Sequence, residues 1–585
     1  MDKIFFSKKL AYSYAFDGGI AELNEADGSL IISLPYQAAF GGGERFNTLN
    51  LKGQTINIAI EEKFCEQGDK SYCPMPFFLT DSGFGLYAAD LRTMSFTFNE
   101  ESIVINGINY GTELVLFSGP PRAVISEYMS LFGTPALPPD WAFLPWISAH
   151  RWNTQEKAEL QLLLLKQYDF PAGVMVLEAW SDEATFYIFN DAQYDVREDG
   201  AFKYEDFSFP ENARWPDPKA MIEKIHAAGL RVILWQCPVF KLLSPDENQN
   251  AQNDLDRKTA SARGLCVKLA DGNPYEIPAG NWFAGSMIPD FTNPETVNEW
   301  FLRRQYLLDI GVDGFKTDGG EFIYRDDLRF HDGRDGAEMK NGYSQSYVKA
   351  YTDFVTDKRV LFSRSGFAGQ HMLPILWAGD QLSTFSELRA QLKAGLSASM
   401  SGIIFWGFDI GGFAGPLPSR DLYLRATQMA CFCPIMQWHS EPIGGQFKEL
   451  LATNENDNER SPWNIASKAS DALLLSRLRF YHKLREKLVP YLSSQAKKCA
   501  ALNRPLIYPL FYAYPADQDA LLIDDQFMLG DDYLVAPILT ENTAGRSVYL
   551  PEGKWKNYFG NEEYAGNQTI FISDEWHIPV FERQV

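Results

Sequence analysis

The sequence predicts an α/β protein: a (β/α)8 TIM barrel with an N-terminal β-sandwich and a C-terminal β-sandwich domain. Three observations predict it. From Trp141 to about residue 490, short apolar runs alternate with amphipathic helical stretches. Eight such runs begin near Leu144, Ala172, Leu230, Val312, Arg359, Ile375, Gly402 and Pro434. Before and after this region, shorter alternating runs are punctuated by Gly, Asn and Asp turns. Several of the barrel-strand candidates also end in charged or aromatic residues, where α/β barrels place their chemistry.

Taken in order, residues 1–138 read as a β-sandwich. Leu30–Leu34, Ser95–Phe98, Ser102–Ile105 and Thr112–Phe117 supply strands. Gly41-Gly42-Gly43-Glu44-Arg45-Phe46 is expected to be a loop. No helix and no Lys-Ser/Thr follow it, so it is not a phosphate loop. Pro120-Pro121 and Pro135 to Pro139 bracket a helical linker. Residues 139–490 form the barrel, with helices over Thr154–Tyr168, Pro218–Ala228, Pro294–Gly311, Glu387–Met400 and Asp421–Met429. The longest excursions, 181–217 and 239–293, follow the second and third strands and are expected to overhang the barrel mouth. Residues 491–585 return to short strands, Leu521–Phe527, Tyr533–Pro537 and Ser547–Pro551 among them.

Composition excludes several function classes. The net charge is −23 and the pI about 4.8. Such a surface repels phosphate backbones and anionic lipid, so neither nucleic acid nor membrane is an expected partner. Seven scattered cysteines show no paired metal spacing, and reduced thiols in a cytoplasmic protein account for them. Met1 to Phe16 has no apolar run of signal-peptide length. No cofactor is expected. A small carbohydrate is the expected partner, and the sequence leaves a homo-oligomer open.

The chain is organised around Val312 to Glu321. A buried strand ends there in Lys316-Thr317-Asp318, and Gly319-Gly320 turns the backbone away. A second strand-end aspartate stands in Trp377-Ala378-Gly379-Asp380. Other candidate strands finish in Glu178-Ala179-Trp180, Trp235, Arg364, Asp409 and His439. Singly, each would be core or a cap; together they describe a polar pocket with aromatic walls. Two carboxylates across such a mouth suit glycoside cleavage. No Gly-x-Ser-x-Gly elbow or metal-ligand cluster competes with that reading.

Asp313 to Asp318 and Trp377 to Asp380 resemble the two catalytic signatures of glycoside hydrolase family 31. Gly43 to Phe46, Pro138 to Ala142, Asp290 to Pro294, Phe405 to Phe413 and Met528 to Pro537 are similar to further family motifs, in order along the chain. The resemblance implies that Asp318 is the nucleophile and Asp380 the general acid/base of a retaining mechanism, which asks for carboxyl groups roughly 5–5.5 Å apart. Lys316 and Arg364 would keep Asp318 charged, while Asp380 needs a raised pKa. It further implies that Arg364 and His439 bond sugar hydroxyls, that Trp235, Trp282 and Trp377 wall the sugar, and that Glu178 stands where the family usually has an aspartate on the far hydroxyl. Lys316 resembles the α-xylosidase branch, although Gly319-Gly320-Glu321 departs from that branch's Phe-Gly-Glu. Lys316 either donates to a sugar hydroxyl or forms a structural ion pair. The implied activity is an exo-acting α-glycosidase, with glucose favoured. An α-xylosidase, an α-galactosidase, an α-glucan lyase and a non-catalytic sugar-binding protein are the alternatives.

Overall fold

Eight parallel strands circle the barrel in chain order: Trp146–Ala149, Val174–Leu177, Arg231–Gln236, Gly314–Thr317, Val360–Ser363, Ile375–Trp377, Trp406–Gly407 and Gln437–Ser440. The computed structural model describes residues 1–356, 358–370, 375–445, 458–543 and 545–584. The last strand pairs with the first in register, Ser148 opposite His439. Ile435 N–H donates to Trp406 O at 3.1 Å and Ile410 N–H to Gln437 O at 3.0 Å, which brings the seventh strand to the eighth. Strands covered on both faces carry continuous apolar runs, and Val174–Leu177 and Val360–Ser363 are buried throughout. The strands are shorter than the apolar runs that predict them: Gly402–Ile410 yields only Trp406–Gly407.

The barrel helices begin where short polar side chains can accept from free backbone N–H groups. Thr154 caps Gln155–Tyr168, Asp217 caps Pro218–Ala227, Thr384 caps Phe385–Ser399 and Ser419 caps Arg420–Cys431. The stretch 294–311, expected as one helix, is two: Pro294–Leu302 and Gln305–Asp309. The break falls at Arg303 and Arg304, whose buried guanidinium groups have partners elsewhere. Arg304 Nε donates to Gln236 Oε1 at 2.6 Å, and Arg303 Nε lies 3.5 Å from Asp256.

The N-terminal region packs a five-stranded sheet beside a six-stranded one. The expected Gly41–Gly43 loop is instead the end of a buried strand, Ala39–Gly43, paired with Pro74–Thr80 through a register shift. Glycine permits it: Gly43 has φ +86°, and a Cβ there would stand 2.1 Å from the Cys73 carbonyl. This strand end joins the sandwich to the barrel. Gly43 N–H donates to Ser401 Oγ at 2.8 Å, and Trp406 Nε1 donates to the next residue, Glu44, at 2.8 Å.

The helix Ala472–Leu502 runs through the expected boundary at residue 490 with Pro490 inside it. A six-stranded C-terminal sheet then begins at Ile507–Pro509, with a two-stranded sheet, Gly545–Leu550 and Gln568–Ser573, beside it. The expected strand over Leu521–Phe527 is a short helix, Gln518–Leu522, followed by the strand Phe527–Leu529. Asp517 starts that helix by accepting from Asp519 N and Ala520 N. All seven cysteines are buried and free. Among the described residues no helix is long and apolar enough to cross a membrane.

The glycine strand end gives a test of the domain junction. Gly43→Ala adds a backbone clash to the strain of a left-handed alanine. Gly28→Ala has similar strain at φ +79° but nothing within 4 Å. By calorimetry, Gly28→Ala is expected to cost about 1–2 kcal/mol and Gly43→Ala clearly more. Equal shifts in Tm would refute the close-approach account.

Candidate active site

The barrel places most of the expected residues at one end because they lie in, or shortly after, a strand at its C-terminal edge; Trp282 comes instead from the excursion 239–293. Glu178, Asp318 and Arg364 each follow their strand by one residue, and Trp235 and His439 lie within theirs. Cross-strand register sets Trp235 beside Lys316 and Thr317 beside Ser363. Gly320, at φ +105°, turns the chain after the aspartate where a Cβ would lie 2.3 Å from Ser365 Oγ.

The side chains meet in a cavity of about 480 Å³ lined by Glu178, Trp235, Trp282, Lys316, Asp318, Arg364, Asp380 and His439. Trp377 does not line it. It is buried behind, with Lys316 Nζ 4.6 Å from its ring. It therefore backs the lysine rather than offering a face to a sugar. His150, Glu183, Phe186, Lys241, Phe283 and Phe413 also line the cavity, as do Glu62 and Phe64 from the N-terminal sandwich. Of these, His150 follows the first strand by one residue, so the strand-end signal reaches it. Glu183, Phe186, Lys241, Trp282 and Phe283 come from the two long excursions. Glu62 and Phe64 carry no local signal.

Asp318 accepts from three directions. Trp235 Nε1 donates to Oδ2 at 2.9 Å, Gly319 N–H donates to Oδ1 at 2.8 Å, and Arg364 Nε lies 3.2 Å from Oδ1. Arg364 is itself clamped by Glu321 through two bonds of 3.1 Å. In the sequence Glu321 stands out only as part of Gly319-Gly320-Glu321, with nothing to pair it to Arg364. A carboxyl group that accepts from several donors is held in one orientation.

Asp380 is held differently. Burial pushes its carboxyl up to about 7, and the Asp318 charge adds to this against Arg364 and Lys316. Two carboxyl groups in one cavity, one ringed by donors and one driven toward its neutral form, are arranged for separate roles.

The deep end is a second charged cluster. Glu178 Oε1 receives Lys316 Nζ at 2.5 Å and lies 3.2 Å from His439 Nε2, while His150 Nδ1 lies 3.7 Å from Oε2. Burial pushes the Glu178 carboxyl up, but His439 and Lys316 outweigh it and hold it well below the usual range. Burial likewise pulls the Lys316 ammonium down, and Glu178, Asp409 and Asp318 together raise it above its ordinary value. The structural ion pair is thus present at Lys316. Phe413 stacks on His439 at 4.5 Å and fixes the ring. No group of three His, Cys, Asp or Glu among the described residues is placed to hold a metal ion.

Residues 135–495 match the Glycosyl hydrolases family 31 TIM-barrel domain, and residues 503–584 match the Glycosyl hydrolase family 31 C-terminal domain. The chain belongs to glycosyl hydrolase family 31. Among family 31 relatives, it is 37% identical to an isomaltosyltransferase of Sporosarcina globispora over 93% of this chain and 50% of that protein. It is 36% identical to a 1,3-alpha-isomaltosidase of Kribbella flavida over 88% of this chain and 71% of that one. The cycloalternan-forming enzyme from Listeria monocytogenes, solved in complex with a pentasaccharide substrate, superposes with a TM-score of 0.91. It is 33% identical, and the match covers 99% of this chain and 58% of that one. The chain spans only half to about seven-tenths of the length of these proteins.

The buried pair at the deep end sets a stability test. Lys316→Met leaves Glu178 without its closest cation, and breaking such a pair typically costs about 3–5 kcal/mol. The variant is expected to melt earlier and to lose activity on every sugar. Glu178→Asp, which withdraws the carboxylate from the same cluster, is expected to change the ratio of rates on glucosides and galactosides. An unmoved Tm in the first and an unmoved ratio in the second would show that the cluster sets neither property.

Proposed function

We propose that the chain is a retaining, exo-acting α-glycosidase of the α-glucosidase type. Asp318 attacks the anomeric carbon and forms the covalent glycosyl-enzyme. Asp380 gives its proton to the departing oxygen, so that the aglycone leaves neutral. Asp380, now a carboxylate, takes a proton from water, which attacks the same carbon and releases the sugar with its α configuration kept and Asp318 free. The observation that carries this reading is the contrast between the two carboxyl groups. Asp318 is ringed by donors, and Asp380 is raised to about 7 by burial and the neighbouring charge.

Glucose at the cleaved position is supported by the named activities of the relatives at 37% and 36% identity, both of which concern isomaltosyl groups. The same names favour a second reading of the unit removed, isomaltose instead of a single glucose. They also favour an acceptor sugar competing with water for the glycosyl-enzyme. Incubating the chain with α-1,3- and α-1,6-linked gluco-oligosaccharides and identifying the products distinguishes these. Release of glucose supports the first reading and release of isomaltose the second. A longer oligosaccharide reports transfer, and an unsaturated anhydro-sugar would overturn hydrolysis in favour of elimination.

Asp318→Ala is expected to abolish turnover, and an activated fluorosugar is expected to label Asp318; a label elsewhere would overturn its role. Asp380→Ala is expected to keep activity on aryl glycosides with good leaving groups, which need little protonation. Azide is expected to speed that variant and to appear in an α-glycosyl azide. In the native chain Asp380 must be protonated to act as acid. The kcat/KM for a poor leaving group is therefore expected to be full below about 7 and to fall as pH rises through that value. A rate that stays flat to pH 9 would refute Asp380 as the donor.

A further inference from the structure

The loop that carries Asp380 is held from outside the barrel. Gln67, buried in the N-terminal region, donates from Nε2 to the Asp380 carbonyl at 3.0 Å. Tyr72, also buried, lays its ring against the Cα of Gly379: a Cβ at Gly379 would stand 2.4 Å from Tyr72 Cε2, and the backbone there is left-handed at φ +71°. Gly379 is thus the residue that lets the ring press on the backbone one peptide before the acid.

The same tyrosine reaches the neighbouring strand end. Its carbonyl accepts from Gly366 N–H at 3.1 Å, and its ring lies 4.9 Å from Arg364 Cζ. Its hydroxyl donates to the Lys63 carbonyl, which folds the segment back on itself. Just before Gln67 the chain passes through two successive left-handed non-glycine residues, Cys65 at φ +52° and Glu66 at φ +44°. Such residues are strained and persist where their surroundings over-determine them. Here Cys65 packs against Phe413 and Ala414 of the barrel mouth, so the strained turn is braced by the domain it serves.

We infer that Gln67 and Tyr72 are positioning residues for Asp380, so that a loop of the N-terminal region sets the proton-transfer step performed in the barrel. The inference rests on the proposed role of Asp380. A proton donor works only within hydrogen-bond reach of the leaving oxygen. The strand ending at Trp377 fixes the start of the Asp380 loop; Gln67 fixes the carbonyl of the aspartate, and Tyr72 fixes the turn before it. Freed from either, the carboxyl loses its aim and gains water, which favours its charged form.

The test uses the full chain with Gln67→Ala, Tyr72→Leu and Tyr72→Phe, and with Asp380→Ala in parallel. The substrates are α-glucosides whose leaving groups range from dinitrophenol to an unactivated alcohol. Gln67→Ala and Tyr72→Leu are expected to lose roughly 10- to 100-fold in kcat/KM on the poorest leaving group and far less on dinitrophenyl glucoside. Their basic pH limb is expected to move to lower pH. Tyr72→Phe keeps the ring against Gly379 and is expected to recover most of the Tyr72→Leu loss. Labelling of Asp318 by an activated fluorosugar at near-native rate would show that both variants are folded with a working nucleophile. An equal loss on every leaving group with an unmoved limb, or no loss at all, would overturn the inference. Leaving-group dependence in Asp380→Ala but not in the loop variants overturns the loop's role alone. Its absence from Asp380→Ala overturns the role of Asp380 itself, and the inference with it.

Discussion

Lys316 and Arg364 are surrounded by more carboxyl groups than they can neutralise, and the site depends on that imbalance. Glu178 takes Lys316 at 2.5 Å, and Arg364 is divided between Asp318 and the two oxygens of Glu321. Asp380 then shares the cavity with negative charge that is only partly offset, and a proton is the remaining counter-charge. Burial without the Asp318 charge would raise Asp380 less, and the Asp318 charge in open water would hardly be felt. The raised carboxyl of Asp380, on which its proposed role rests, therefore follows from how the cations have already been allotted. Glu178 and Glu321, which have no part in the proposed bond-breaking step, help to set it by occupying those cations.

The barrel also needs its neighbours. The strand that ends in Trp377 is three residues long and the one beside it, Trp406–Gly407, is two. Strands this short contribute few ladder bonds, and much of the order at that side of the ring comes from contacts outside it. The indole of Trp406 donates to Glu44, and Ser397 Oγ donates to the Gly43 carbonyl at 2.8 Å. Asp380 stands on a part of the barrel that leans on the sandwich.

What could be read from the chain alone follows from where the physical signal lies. Asp318, Arg364, Glu178 and His439 were legible because a buried strand makes an apolar run and its polar end breaks it sharply. The same rule reaches His150. It fails for Trp377, since an apolar run ending in tryptophan does not say whether the ring faces the mouth or the wall behind. Lys316 was legible only as a choice between a sugar and a carboxylate partner; the deciding group, Glu178, lies 138 residues away. Gln67 and Tyr72 sit in a stretch with no periodicity, and their importance arises from contacts made across more than 300 residues. Gly41–Gly43 misled because three glycines usually mark a loop, whereas here their freedom admits a bulged strand end.

The buried thiols have a further consequence. Cys65 and Cys73 lie on either side of Gln67 and Tyr72, Cys237 and Cys266 follow the third barrel strand, Cys431 and Cys433 precede the eighth, and Cys499 sits in the long helix leading to the C-terminal sheet. None is open to reagent while the structure is closed, and burial pushes the Cys65 thiol above its ordinary range. Each sulfur is therefore a silent reporter for its own region, becoming alkylatable only when that region opens. The rate at which Cys65 becomes reactive measures how often the sandwich loop lets go of the barrel.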